Sequence, residues 1–140
     1  MFIFDDGGRA AAGFKGAAGD CVCRAVAIAT GRSYREVYAA LNAFCAYDIR
    51  HRMRGRSSAR EGVAKPATRA YLASLGWQWT PTMRIGSGCH VHLRADELPP
   101  GRIIVSLSRH VAAIIDGVLH DTHDSSRGGT RCVYGYWSPP

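Results

Sequence analysis

RIIVSLSRHVAAIIDGVLHDTHDSS, residues 102–126, decides the fold. Asp116-Gly117 stands between two apolar runs, and both residue types tolerate the backbone conformation that a two-residue hairpin turn requires. The turn predicts a strand near His110 to Ile115 paired antiparallel with one near Val118 to His123. In that register Ile115 faces Val118, Ala112 faces Asp121 and His110 faces His123. Further short runs, separated by Gly, Pro and Asp, read as strands around it: WQWT (77–80), HVHL (90–93), RIIVSLS (102–108) and CVYGYW (132–137).

The texture upstream is helical. CVCRAVAIAT, residues 21–30, is nearly all apolar and is closed by Gly31, which predicts a short central helix buried on most sides. Ser33 stands three residues before Glu36 as a capping box, and Val37, Tyr38, Leu41 and Phe44 follow at helical spacing, so an amphipathic helix runs from about Tyr34 to Tyr47. A third helix begins near Pro66 and ends before Gly76, with Val63, Ala67, Tyr71 and Leu72 on its inner face. Helices first and antiparallel strands later indicate an α+β fold, N-terminal helices packed on a C-terminal antiparallel sheet.

With 140 residues the expectation is one domain over 1–140. An apolar fraction of 46% and a charged fraction of 21% exclude disordered and fibrous classes. The longest apolar candidate, Val22 to Ala29, is broken by Arg24, so no membrane span is expected. MFIFDDGGRAAAGFKG carries Asp5 and Asp6 where a secretory signal has positive charge, and the cysteines number five, which is odd. Both features predict a cytoplasmic protein with reduced thiols.

The formal net charge of +7 comes from 18 basic and 11 acidic residues, and the excess is local. It peaks in IRHRMRGRSSAR, residues 49–60, where Arg50, Arg52, Arg54 and Arg56 alternate along a predicted loop over about 49–62. Such a loop is a docking element for an acidic partner or nucleic acid. No aromatic residue interleaves the run, so base stacking is not indicated.

For chemistry, a nucleophilic thiol belongs at a helix N-terminus, where the macrodipole favours thiolate and the free amides can hold an oxyanion. Cys21 meets that description, with Gly19 before it to let the backbone turn and a substrate approach. Cys23 lies about 200° around the helix and belongs to the core. Asp20 is expected to raise the thiol pKa by like-charge repulsion. A base is a histidine on a rigid element, oriented by a third polar group. His110 begins a strand, and the hairpin register makes Asp121 its diagonal neighbour on the same face. His123 competes on that face, Asp124 is a close substitute for Asp121, and His120 and Asp124 fall on the opposite face. A metal site drawn from Cys21-x-Cys23 and Cys89-His90-x-His92 has suitable ligand types, but its single-residue spacings differ from those of common zinc loops, so no metal is assigned.

The order Cys21, His110, Asp121, with the cysteine on an N-terminal helix and the other two on a later hairpin, resembles the papain-like cysteine peptidase superfamily. KGAAGDC, residues 15–21, resembles that superfamily's glutamine six residues ahead of the nucleophile and followed by glycine, with Lys15 standing in the glutamine's place. The chain is also similar to compact bacteriocin-processing peptidases. GDCVCRAVAIATG, the hairpin segment and CVYGYW together look like a group of small bacterial and phage proteins with a papain-like core. The resemblance implies a thiol hydrolase of peptide, isopeptide or related amide bonds that needs no cofactor. In it Cys21 is the nucleophile, His110 the base and then acid, Asp121 the orienting residue, and Lys15 a side-chain donor to the oxyanion. The alternative is a catalytically impaired papain-like module that binds nucleic acid or an acidic partner through the arginine run.

Overall fold

Asp116 and Gly117 take φ of 48° and 78°, the pair of positive values that a type I′ turn demands. They join antiparallel strands with Ile115 opposite Val118, Ile114 opposite Leu119 and Ala113 opposite His120, which is the register expected of the turn. The Asp116 carboxylate also accepts the Gly101 amide at 2.8 Å, pinning the turn to the start of the preceding strand.

The structure is a computed structural model that describes residues 1–52 and 57–140. The chain runs β1 (Phe2–Phe4), α1 (Cys21–Thr30), α2 (Tyr34–Arg52), α3 (Lys65–Ser74), β2 (Gln78–Pro81), a single 3-10 turn (Ala95–Glu97), β3 (Arg102–Leu107), β4 (His110–Ile115), β5 (Val118–Asp121) and β6 (Gly135–Ser138). The strands form one sheet in the order β1-β5-β4-β3-β6-β2. All its pairings are antiparallel except that of β1 with β5, so the sheet is mixed where a wholly antiparallel one was expected. β1 is three residues of consecutive apolar side chains, too short to show a period in sequence. The class is α+β, with three helices packed against the sheet.

α1 owes its position to composition. Seven of its ten residues are buried, and Gly31, at φ 74°, ends it by donating its amide to the Ala27 carbonyl. It lies on β4, flanked by α2 and by β3. One core joins Val26, Leu41, Leu72, Ile104, Ala113 and Trp137 between helices and sheet. A second, on the other sheet face, joins Ile103, Val105, Ile114 and Leu119 with Leu93 and Val133. β3 is therefore buried on both faces, which explains its nearly continuous apolar run.

Four expectations are corrected. α2 extends to Arg52 because no Gly or Pro interrupts it after Tyr47 and arginine favours helix, so Arg50 and Arg52 sit on its last turn and not in a loop. Arg54 and Arg56 lie outside the described residues. The 57–62 segment is a tight turn closed by a Ser58–Gly62 bridge, with Ala59 buried and its amide donating to Asn42. HVHL forms no strand, only a bridge between His92 and Cys132, and β6 begins at Gly135 because the Val133 amide goes to the Val91 carbonyl and the chain joins β3 only from the Tyr134 amide, which donates to Ser106. Cys89 and Cys132 are joined in a disulfide, leaving Cys21, Cys23 and Cys45 as free thiols, so the five cysteines are not all reduced.

Gly135 fixes the packing of the β2–β6 edge. Trp79 and Trp137 face each other across it with ring centroids 4.5 Å apart. A Cβ at Gly135 would fall within the Trp79 ring's van der Waals radius and 2.9 Å from the Thr80 carbonyl oxygen. Gly135→Ala is expected to lower stability by about 1–3 kcal/mol in urea unfolding, the range for overpacking. An unchanged midpoint would show that this edge relaxes freely.

Candidate active site

Cys21 is the first residue of α1, and its half-buried thiol lies on the cleft side of the helix start. Asp20 occupies the N-cap position but makes no side-chain capping bond. Its carboxylate instead accepts the Tyr34 hydroxyl at 2.6 Å, pairs with Arg9 at 3.4 Å and forms a close ion pair with Arg24. Among the described residues the Cys21 and Val22 amides consequently have no hydrogen-bond partner. They are free to receive negative charge at the end of the helix dipole.

His110, the first residue of β4, bonds through Nε2 to Asp121 Oδ2 at 2.6 Å. Asp121 is 3% exposed and ionised, so it can only accept, which places the proton on Nε2 and leaves Nδ1 for Cys21. The Cys21 thiol and the His110 imidazole line one cleft and interact, each shifting the other's proton affinity. Asp121 is itself held by the Thr122 amide at 2.7 Å, the Ser125 hydroxyl at 3.3 Å and Arg24 at 3.4 Å. The structure thus brings Cys21, His110 and Asp121 into one chain of contacts.

The electrostatics follow from these neighbours. Burial pushes the Cys21 thiol up, but the hydrogen bond and charge of His110, the Val111 amide and Arg24 outweigh it and leave the thiol below its ordinary value. Burial likewise disfavours imidazolium, yet the bonds to Asp121 and Cys21 raise His110 to about 9. Burial would also raise the Asp121 carboxyl, and His110, the Thr122 amide and Arg24 reverse that effect. Both shifts favour the thiolate–imidazolium form of the pair.

Of the competitors, Asp124 bonds to Ser126, and His120 lies 3.6 Å from Asp5. His123 is exposed, with its ring centroid 5.3 Å from that of His110. Cys23 is fully buried, and burial pushes its thiol up to about 12. The repulsion expected from Asp20 does not prevail at Cys21, whose thiol is lowered; the carboxylate turns to Arg9, Arg24 and the Tyr34 hydroxyl, and its charge helps to raise Cys23 instead. Lys15 is not brought to the site. It is exposed, its carbonyl accepts from Arg9 and Arg60, and it does not line the cleft. Gly19 does line it, for a reason other than the one expected. Its amide donates to the Arg60 carbonyl at 2.7 Å, and a Cβ there would meet the Glu61 carbonyl oxygen at 3.0 Å, so glycine admits the 57–62 turn rather than a sharp bend.

The residues considered for a metal do not converge. Cys89 is in the disulfide, His92 bonds to Glu97 at 3.2 Å, and Cys23 points to the Tyr34 carbonyl. His110, Asp121 and His123 offer ligand atoms within 4.8 Å of one another. His110 Nε2 and Asp121 Oδ2, however, stand at a hydrogen-bond separation, whereas two ligands on one tetrahedral zinc stand roughly 3.3 Å apart.

Cys21 and His110 open into a cleft of about 850 Å³ between the start of α1, α3, the segment after β2 and the β3–β4 turn. Comparison with known families, curated proteins and solved structures finds no match to this chain.

Two outcomes test this geometry. Arg24→Met strips Asp20 and Asp121 of their shared counter-ion and is expected to cost about 3 kcal/mol in urea unfolding at pH 7. Because Asp121 is depressed in the folded state, the deficit shrinks as pH falls through its folded value, and a pH-independent deficit would point to lost packing instead. Iodoacetamide with mass mapping should label Cys21 at a lower pH than that at which ordinary thiols react and leave Cys23 unmodified. His110→Ala should move the labelling profile to higher pH, and an unmoved profile would separate the thiol from the imidazole.

Proposed function

We propose that the chain is a papain-like thiol hydrolase that cleaves a peptide, isopeptide or related amide bond. The carrying observation is the line of contacts from Cys21 through His110 to Asp121, set at a helix start whose first amides are unpartnered. In its thiolate–imidazolium form the pair supplies a nucleophile without a prior proton transfer. Cys21 thiolate attacks the carbonyl carbon, and the oxyanion that forms takes hydrogen bonds from the free first-turn amides, a role the displacement of Lys15 leaves to the backbone. As the C–N bond breaks, His110 gives its Nδ1 proton to the leaving amine. The imidazole then takes a proton from water, whose oxygen attacks the thioester and frees the acid and the thiolate. Asp121 holds the ring orientation and the charge throughout.

The peptide or protein substrate is part of this proposal, and so is the cytoplasmic setting. No described helix is long and apolar enough to cross a membrane. The Cys89–Cys132 disulfide weighs against the cytoplasm, since such bonds persist chiefly in oxidising compartments.

In a fluorogenic peptide-pool assay, Cys21→Ala should abolish turnover and His110→Ala should lower it by about 10³-fold or more. Full turnover by Cys21→Ala would overturn the assignment.

A further inference from the structure

The cleft is charge-balanced at its floor and cationic at its rim. Arg24 and Asp20 line it as a closed pair. Beyond them its charged lining is Lys65, Arg69, Arg84 and Arg109 against Glu61 alone. These four cations come from three separate elements: α3, the segment after β2 and the β3–β4 turn. All four side chains are exposed, and none forms an ion pair with a carboxylate among the described residues. Lys65 and Arg69 are one helical turn apart and share a face.

Arg109 is the most telling of them. It holds φ at 56° in the two-residue turn between Leu107 and His110, a conformation that glycine or asparagine adopts with less strain. The turn nevertheless carries a cation, next in sequence to His110 and lining the same cleft.

We infer that the cleft selects acidic peptides, with carboxylate side chains flanking the bond presented to Cys21. Fixed cations around a low-dielectric groove raise the local concentration of anionic substrate and orient it. The reacting bond in this inference rests on the thiol-hydrolase reading, while the substrate class rests on the rim charges. Peptide is favoured over nucleic acid because the cleft's tryptophans are already engaged. Trp79 packs against Trp137 and lies under Arg69, at 5.8 Å from its guanidinium carbon, so it offers no free platform for a base.

The test uses full-length Cys21→Ala protein and two capped heptapeptide pools, randomised at the centre and flanked by either glutamate or glutamine. Fluorescence anisotropy should give at least about tenfold tighter binding of the glutamate pool at 50 mM NaCl, with the gap closing at 300 mM. Arg84→Gln combined with Arg109→Gly, which relieves the turn, should remove most of that preference without lowering the melting temperature. Equal binding of the pools, no binding of either, or tighter binding of a single-stranded oligonucleotide of equal charge would overturn the inference. Hydrolysis by the unmutated protein separates the two readings. Turnover indifferent to glutamate defeats the inference and leaves the hydrolase, whereas preferential binding without any turnover supports the inference and defeats the hydrolase.

Discussion

The guanidinium of Arg24 holds the site together. It sits on the first turn of α1, forms an ion pair with Asp20 at the helix start, and reaches Asp121 at the end of β5. Two carboxylates buried to 2% and 3% exposure are tenable only if each is neutralised and bonded, and a planar cation with several donors can serve both. Arg9 and Tyr34 complete the shell of Asp20, while His110, Thr122 and Ser125 complete that of Asp121. The helix carrying the thiol and the hairpin carrying the imidazole are therefore locked to each other by charge as well as by apolar packing.

One consequence reaches Cys21. An aspartate before a helix ordinarily turns its carboxylate onto the first amides. Here the ion pair and the tyrosine draw it away, and those amides stay unsatisfied beside Cys21. A loss in local helix stability thus becomes a site for negative charge.

What the sequence made legible was local and periodic. The period of two along the hairpin and the demands of Asp116-Gly117 placed His110 beside Asp121, and an apolar decapeptide ended by glycine placed Cys21 at a helix start. What stayed hidden depends on distance in the chain. Arg24 reads along the sequence only as a break in an apolar run, and Arg9 as one cation of three before residue 31. The reach of Arg24 to Asp121 becomes visible only when the hairpin seats on α1, and that of Arg9 to Asp20 only when the segment after β1 folds over α1, where Gly7 comes so close that a Cβ would meet the Arg24 carbonyl oxygen at 3.1 Å. The Cys89–Cys132 link gave no spacing signal, and Lys15 was placed by analogy with a glutamine rather than by any force acting on it.

β1 adds a matter of order in time. It lies parallel to β5, residues 2–4 against 119–121, and the amide just after it, that of Asp5, donates to the Asp121 carbonyl at 2.9 Å. A ribosome releases the helix that carries Cys21 and the N-terminal strand long before it releases the hairpin that carries His110. Until then Asp20 and Arg24 have each other, but the imidazole and the backbone that seats Asp121 do not yet exist. Contacts of such high sequence separation make assembly slow and late. The thiol consequently lacks its imidazole partner while the chain is being made and meets it only when the sheet closes.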